Sequence, residues 1–209
     1  FALADDHHWT IGQFVWTGFD YLGEPSPYDT DSWPNHSSMF GIIDLASLPK
    51  DRYYLYRSVW NKKAETLHIL PHWTWPGREG EVTPVFVYTN YPTAELFINS
   101  SLKNRYRLMW MDTKYEPGEV QVVAYDKNGK AVAEKVVRTA GKPHHIELVS
   151  NRNELTADGK DLAYVTVKVV DKDGNLCPAD NRQINFSVKG TGKYRAALIP
   201  AVAPTSQWL

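Results

Sequence analysis

Residues 12–25 read GQFVWTGFDYLGEP and set two carboxylates, Asp20 and Glu24, beside three aromatic rings, Trp16, Phe19 and Tyr21. Carboxylates accept hydrogen bonds from hydroxyls and pair with cations, while an indole offers a flat apolar face and one polar edge. The same two carboxylates are equally suited to capping a turn or pairing with an arginine. Positioning such a set takes two kinds of backbone. Gln13-Phe14-Val15-Trp16 is β-branched and aromatic, which predicts a buried strand. Thr17, Gly18, Gly23 and Pro25 then supply loop chemistry. A hydrophobic strand ending in a polar loop is where α/β enzymes keep their sites, and one strand end is one wall of a site.

Residues 26–38 are rich in Ser, Pro, Asp and Asn and predict a long loop, which carries Trp33. Gly41-Ile42-Ile43-Asp44-Leu45 is a short apolar segment. Pro49-Lys50-Asp51 opens a predicted helix that runs to Trp60, with Tyr53, Tyr54, Tyr56 and Trp60 partly on one face. Strand, loop and helix make one βα unit. Such a unit cannot bury both its faces, so residues 1–63 are expected to belong to something larger.

From Ala64 the texture changes to short strands. Predicted strands cover residues 67–71, 82–90, 94–99, 106–111, 119–126 and 131–138, several of them alternating apolar and polar. Turn signals separate them, the strongest being Lys127-Asn128-Gly129. This pattern predicts an immunoglobulin-like sandwich over residues 64–141. Ala140-Gly141-Lys142-Pro143 is a joint suited to a domain boundary. Beyond it, predicted strands at residues 145–149, 162–170 and 183–188 point to a second immunoglobulin-like sandwich over 142–209. Its pattern fades from Ala196, so this second sandwich is expected to be incomplete. The fold class predicted is therefore mainly β.

Composition narrows the function. Hydrophobic residues make up 43% and charged residues 22% of the 209, an ordinary globular balance. The net charge of −1 leaves no basic excess to neutralise phosphates, which argues against a nucleic-acid partner or an anionic membrane surface. No apolar run approaches the length of a membrane-spanning helix. The eight Trp and twelve Tyr are unusual, and many adjoin Pro, Gly or Asp, a placement that suits sugars and interfaces as well as cores. Cys177 is the lone cysteine, so neither an intrachain disulfide nor a cysteine-based metal site can form. Asp5-Asp6-His7-His8 would need ligands from elsewhere to hold a metal, because adjacent side chains diverge. No cofactor is called for. The chain begins at Phe1 without Met, which is expected of a segment cut from a longer protein.

Three segments carry a family resemblance: Phe14-Val15-Trp16-Thr17-Gly18-Phe19-Asp20-Tyr21-Leu22-Gly23-Glu24-Pro25, Gly41-Ile42-Ile43-Asp44, and the predicted helix over 49–60. They resemble the bacterial β-galactosidase-like enzymes of glycoside hydrolase family 2. The resemblance implies that residues 1–63 are the last βα unit of a TIM barrel. The segments Pro71-His72-Trp73-Thr74-Trp75 and Arg107-Leu108-Met109-Trp110 are similar to the sandwich that follows the barrel. Leu155-Thr156-Ala157-Asp158-Gly159 is similar to the bacterial immunoglobulin-like domain that often comes next. The family retains anomeric configuration with two glutamates, an acid/base and a nucleophile, on earlier barrel strands. A carboxylic acid must protonate the leaving oxygen while a carboxylate about 5 Å away attacks the anomeric carbon. No stretch here matches the strand ends that carry that pair, so the chain is expected to be inactive alone.

By the family's pattern Trp16 forms the floor of the pocket for the terminal sugar, the alternative being a buried barrel tryptophan. Asp20 and Glu24 are suited to the sugar hydroxyls or to orienting Trp16 and the loop. Trp33 would line an outer subsite or anchor a surface loop. The partners implied are a carbohydrate substrate and the upstream barrel of the same protein, with a homo-oligomer left open. The resemblance favours a periplasmic or extracellular home. Two other functions compete. One is a non-catalytic carbohydrate-binding or adhesion module, for which Trp73, Trp75 and Trp110 would form a stacking platform. The other is a set of structural spacers. The connection Asn99-Ser100-Ser101-Leu102-Lys103-Asn104 departs from the family's usual longer, glycine-containing link.

Overall fold

The computed structural model describes residues 7–23, 37–99, 109–197 and, as backbone, 101–105. It divides into two compact units. One comprises the described residues up to Trp60 together with those from Ser187 onward, and the other is Asn61–Phe186.

In the first unit, β1 (Tyr21–Leu22) pairs antiparallel with β2 (Ser37–Ser38), and α1 spans Asp51–Trp60. The helix begins where the sequence predicts, after Pro49, with an acidic residue, Asp51, in its positive first turn. Tyr56 and Trp60, one turn apart, bring their rings to 4.7 Å. The buried strand expected at residues 13–16 is not formed: these residues lie in no described strand, and Phe14 is 98% exposed. A strand needs a neighbour to complete its ladder, and none of the described residues supplies one to this segment.

The second unit holds the main core. A three-stranded antiparallel sheet orders β3 (Leu67–Leu70), β4 (Val85–Thr89) and β7 (Met109–Trp110) as β3-β4-β7. A four-stranded antiparallel sheet orders β5 (Thr93–Ile98), β6 (Ser101–Arg105), β8 (Glu119–Tyr125) and β9 (Ala131–Arg138) as β6-β5-β8-β9. Alternation on β8 points Val120, Val122 and Ala124 inward, where they join Val85, Val87, Leu96 and Ile98 in the core. The predicted hairpin at Asn128-Gly129 is present between β8 and β9. There Asp126 Oδ1 accepts the Asn128 and Lys130 amides, and Gly129 sits at φ 78°.

Strand β6 was not expected. The sequence there reads as a connection, yet it forms an edge strand beginning at Ser101 opposite Ile98. Asn99 takes the left-handed turn position at φ 47°, which Asn tolerates better than other residues with a side-chain carbon. Its side chain also accepts the Glu119 amide at 2.9 Å, tying the turn to β8.

The tryptophans that only the competing binding-module reading offers as a sugar platform, their neighbours Pro71, Pro76 and Met109 pointing instead to a packed seam, are largely core. Trp73 and Trp110 are 1% and 0% exposed. Trp73 donates to the Glu116 carbonyl and meets Tyr115 edge-on at 5.2 Å, so its ring is spent on packing. Trp75 is half-buried, stacked on His72 and under the Arg78 guanidinium. Trp73 and Trp110 themselves belong to the core, with Trp75 packed against it, and a ring cannot both fill a core and present its face.

Beyond the joint, β10 (His145–Ser150) and β11 (Val165–Val170) form a two-stranded antiparallel sheet. Residues 183–188, predicted as a strand, form none, and Phe186 and Val188 stay about half exposed. Two strands cannot enclose a core, so alternation in sequence finds no ladder to join. The joint itself is firmly made. Asp171, almost fully buried, accepts the Gly141 amide at 2.8 Å, the Asp173 and Asn175 amides, and the Asn175 side-chain amide. The Gly141 hydrogen bond first, and the Asn175 side chain next, hold the Asp171 carboxyl well below the usual carboxylate range. Burial pushes the neighbouring Cys177 thiol up, with the Asp171 charge adding to the effect.

Candidate functional site

The segment from Trp16 to Tyr21 is held by backbone from residues 39–50. Ile42 and Ile43 donate to the Thr17 and Gly18 carbonyls at 3.1 and 3.0 Å, and Asp20 donates to the Ile43 carbonyl at 2.9 Å. Phe19 and Ile43 make a parallel bridge, the arrangement of neighbouring strands in a parallel sheet reduced to a single residue pair. Ile43 bridges Pro49 on its other side, and the Lys50 amide donates to Ile42, which seats the start of α1 against the same segment. Gly41 permits the approach. A Cβ there would run into the Asp20 nitrogen and the Phe19 carbonyl carbon, both backbone atoms, so no other residue fits.

Asp20 is the polar centre of this junction. It is 5% exposed, and its Oδ1 accepts the Gly41 amide at 2.8 Å and the Lys50 ammonium at 2.7 Å. Lys50 also donates to the Met39 carbonyl at 3.1 Å. Asp20 Oδ2 is buried without a hydrogen-bond partner among the described residues. Of the roles open to this carboxylate from the sequence (sugar hydroxyls, orienting Trp16 and the loop, capping a turn, or pairing with an arginine), the structure shows a backbone amide and a cation, and that cation is a lysine on the entry to α1.

Trp16 is placed very differently. Its indole is 75% exposed, at the rim of an open hollow of about 470 Å³ formed by residues 16–21, and its peptide bond to Thr17 is cis. A buried barrel tryptophan is thus not what these residues make among themselves. Exposure continues along the segment: Trp9, Ile11, Phe14, Phe19 and Leu22 all present apolar surface. So many large apolar side chains exposed within one short stretch are what a surface covered by another body or used by a ligand leaves open. Trp16 and Asp20 therefore share one short segment, the ring presented and the carboxylate enclosed. Glu24 and Trp33 lie outside the described residues. Lys50 escaped the sequence reading because a lysine after proline at a helix start is ordinarily a solvated charge; only the thirty-residue closure onto Asp20 reveals its role.

No group of three or more His, Cys, Asp or Glu among the described residues is arranged to hold a metal ion. His7, from the predicted acidic and histidine cluster, stacks on Trp9 instead. No helix among the described residues is long and apolar enough to cross a membrane.

Comparison with known proteins places this geometry. Residues 146–198 match the glycoside hydrolase family 2 C-terminal domain 5, and residues 80–133 match a domain of unknown function, DUF4982. Over 198 residues, 91% of its length, the chain is 48% identical to the β-galactosidase BoGH2A of Bacteroides ovatus. The chain is similar to the C-terminal region of glycoside hydrolase family 2 proteins. The chain is also 36% identical, over 90% of its length, to a putative β-glucuronidase of Formosa agariphila. Among solved structures it superimposes on a β-glycosidase from Bacteroides vulgatus with a TM-score of 0.68 and 39% identity over 77% of the chain. A family 2 member from Bacteroides cellulosilyticus gives 0.71 and 30% over 83%. The chain spans about a fifth of the length of the curated relatives, 22% and 19% of these two. It accounts for 20% and 27% of the two solved structures.

Proposed function

We propose that this chain is the C-terminal part of a retaining glycoside hydrolase acting on terminal β-linked sugars, β-galactosidase-like in specificity. It supplies one wall of the sugar pocket and two accessory β-sandwiches. In this reading residues 1–63 end a TIM barrel, residues 64–141 form the first immunoglobulin-like sandwich, and residues 142–209 belong to the second, incomplete one. The acid/base and nucleophile glutamates stand on barrel strands upstream, in a protein that works outside the cytoplasm. Trp16 is the sugar-facing ring, Asp20 orients its segment, and Glu24 and Trp33 contribute from the loop beyond.

The observation that carries this is the contrast within one segment: an indole three-quarters exposed on backbone whose anchor, Asp20, is almost wholly enclosed. An indole face packs against sugar C–H bonds and leaves the hydroxyls free for directional hydrogen bonds. Such a ring helps only if its backbone is fixed beforehand. The exposed apolar side chains between Trp9 and Leu22 fit a unit that the rest of the barrel would cover. The relatives named β-galactosidase favour a galactoside over a glucuronide, since the more similar of the two curated relatives bears that name.

The test uses the full-length protein. Trp16→Ala is expected to lower kcat/KM on an aryl β-galactoside by about 10- to 100-fold, the equivalent of roughly 1.4–3 kcal/mol of ring packing. The 209-residue chain alone is expected to give no turnover. An unchanged kcat/KM in Trp16→Ala would remove Trp16 from the pocket.

A further inference from the structure

We infer that Lys50 is a positioning residue for the sugar-facing ring, acting through Asp20 as a latch between the entry to α1 and the segment that carries Trp16. The inference rests on the assignment of Trp16 to the pocket floor, and goes beyond it by naming what holds that floor in place.

Trp16 has little packing of its own among the described residues, so its position must come from the backbone that follows it. That backbone is tied to residues 41–43 by main-chain hydrogen bonds at Thr17, Gly18 and Asp20. These bonds alone define a short, two-sided contact, which slides or frays readily when nothing locks it. The lock is the Asp20 carboxylate. One oxygen takes both the Gly41 amide and the Lys50 ammonium, so three stretches of chain meet at a single atom. Lys50 closes the ring by donating to Met39, two residues before Gly41.

Electrostatics make the arrangement all-or-none. The Asp20 side chain is 1% exposed and that of Lys50 22%, so the carboxylate has almost no water to fall back on. With Lys50 in place the buried charge is compensated by a short, charge-assisted bond. Without it, an enclosed carboxylate keeps one backbone amide as its only partner among the described residues, and the favourable response is for Asp20 to swing toward solvent. Asp20 shares its segment with Trp16, so that swing carries the indole away from its fixed place.

A loosened floor has a specific kinetic signature. The ring touches the sugar alike in the ground state and the transition state, so a fall in the fraction of competent enzyme raises KM and leaves kcat nearly unchanged. A merely structural role does the opposite: it reduces the amount of folded enzyme, lowering apparent kcat at constant KM.

The experiment is a double-mutant cycle in the full-length enzyme with an aryl β-galactoside, normalised by active-site titration. Lys50→Met is expected to raise KM by about tenfold with kcat within twofold, and Lys50→Arg to recover part of the loss. In a Trp16→Ala background, Lys50→Met is expected to change KM by less than twofold, because the ring it positions is gone. If Trp16→Ala weakens activity but Lys50→Met leaves KM unchanged or acts additively with it, the latch is overturned while the pocket floor stands. If Trp16→Ala itself has no effect, the floor assignment fails, and the latch with it. Should Lys50→Met not fold, Asp20→Asn provides the same cycle: a KM rise that disappears in the Trp16→Ala background supports the latch, and an additive one refutes it.

Discussion

Trp16 and Asp20 are four residues apart and sit at opposite extremes of exposure, which divides their work: one is presented, the other anchors. Trp73 belongs wholly to the second kind. It fills the sandwich core, its indole nitrogen satisfied by the Glu116 carbonyl and its own carbonyl by the Thr139 hydroxyl at 2.6 Å. Trp73→Ala is therefore expected to cost about 3–5 kcal/mol, since the cavity left by so large a ring adds to the lost burial. Urea denaturation followed by circular dichroism checks this. A loss under 1 kcal/mol would mean the core collapses around the gap, and binding of galactose at millimolar concentration by the unmutated chain would revive a platform role for the sandwich rings.

At the scale of elements, the joint between β9 and β10 is governed by one side chain. Asp171 collects amides from the joint at Gly141 and from the turn after β11, so the two sandwich regions are fastened at one carboxylate. Its folded pKa lies below the unfolded value near 4. Stability from this group is thus fully present above about pH 4 and drains away as pH falls below that toward the depressed folded value. The Asp158 and Asp180 carboxyls, lowered by backbone amides of Lys160 and Asp161 and by the Arg182 side chain, act in the same direction. Lowering the pH from 5 to 2.5 is expected to unfasten residues 140–177 before the β5 and β8 core. Amide exchange read residue by residue checks it, and Asp171→Asn should weaken the joint at pH 6 and flatten its acid dependence. Simultaneous loss of both regions would show that the joint has no separate part in acid unfolding.

For the whole molecule, the contrast between the units sets the expectation. The Asn61–Phe186 unit contains a closed apolar core, whereas the unit holding Trp16 leaves Trp9, Ile11, Phe14, Phe19 and Leu22 open to water. Hydrogen exchange in the 209-residue chain is expected to be slowest in β4, β5 and β8 and orders of magnitude faster at residues 17–23 and 37–50. In the full-length protein, protection at residues 17–23 and 37–50 should rise toward that of the sandwich core. Equal protection of both units in the isolated chain would show that the first folds without a covering body.

Strand placement in the first sandwich was legible from residues alone, because period-two alternation at Val120, Val122 and Ala124 and the Asn128-Gly129 turn are local signals that the fold leaves in place. The start of α1 was legible to within two residues for the same reason, through Pro49 and Asp51. Trp16 could be singled out through the family motif around it. Three features could not be read this way. β6 depends on an edge pairing that its own polar sequence does not announce. Residues 13–16 and 183–188 carry strand composition, yet a strand exists only when a neighbour completes its hydrogen bonds, and composition says nothing of neighbours. The Lys50–Asp20 contact spans thirty residues and is decided by how Gly41 lets two backbones approach. Local chemistry thus determined most of the elements, and tertiary structure alone decided which charges meet at Asp20, because burial and pairing are properties of what comes together rather than of any one stretch of chain.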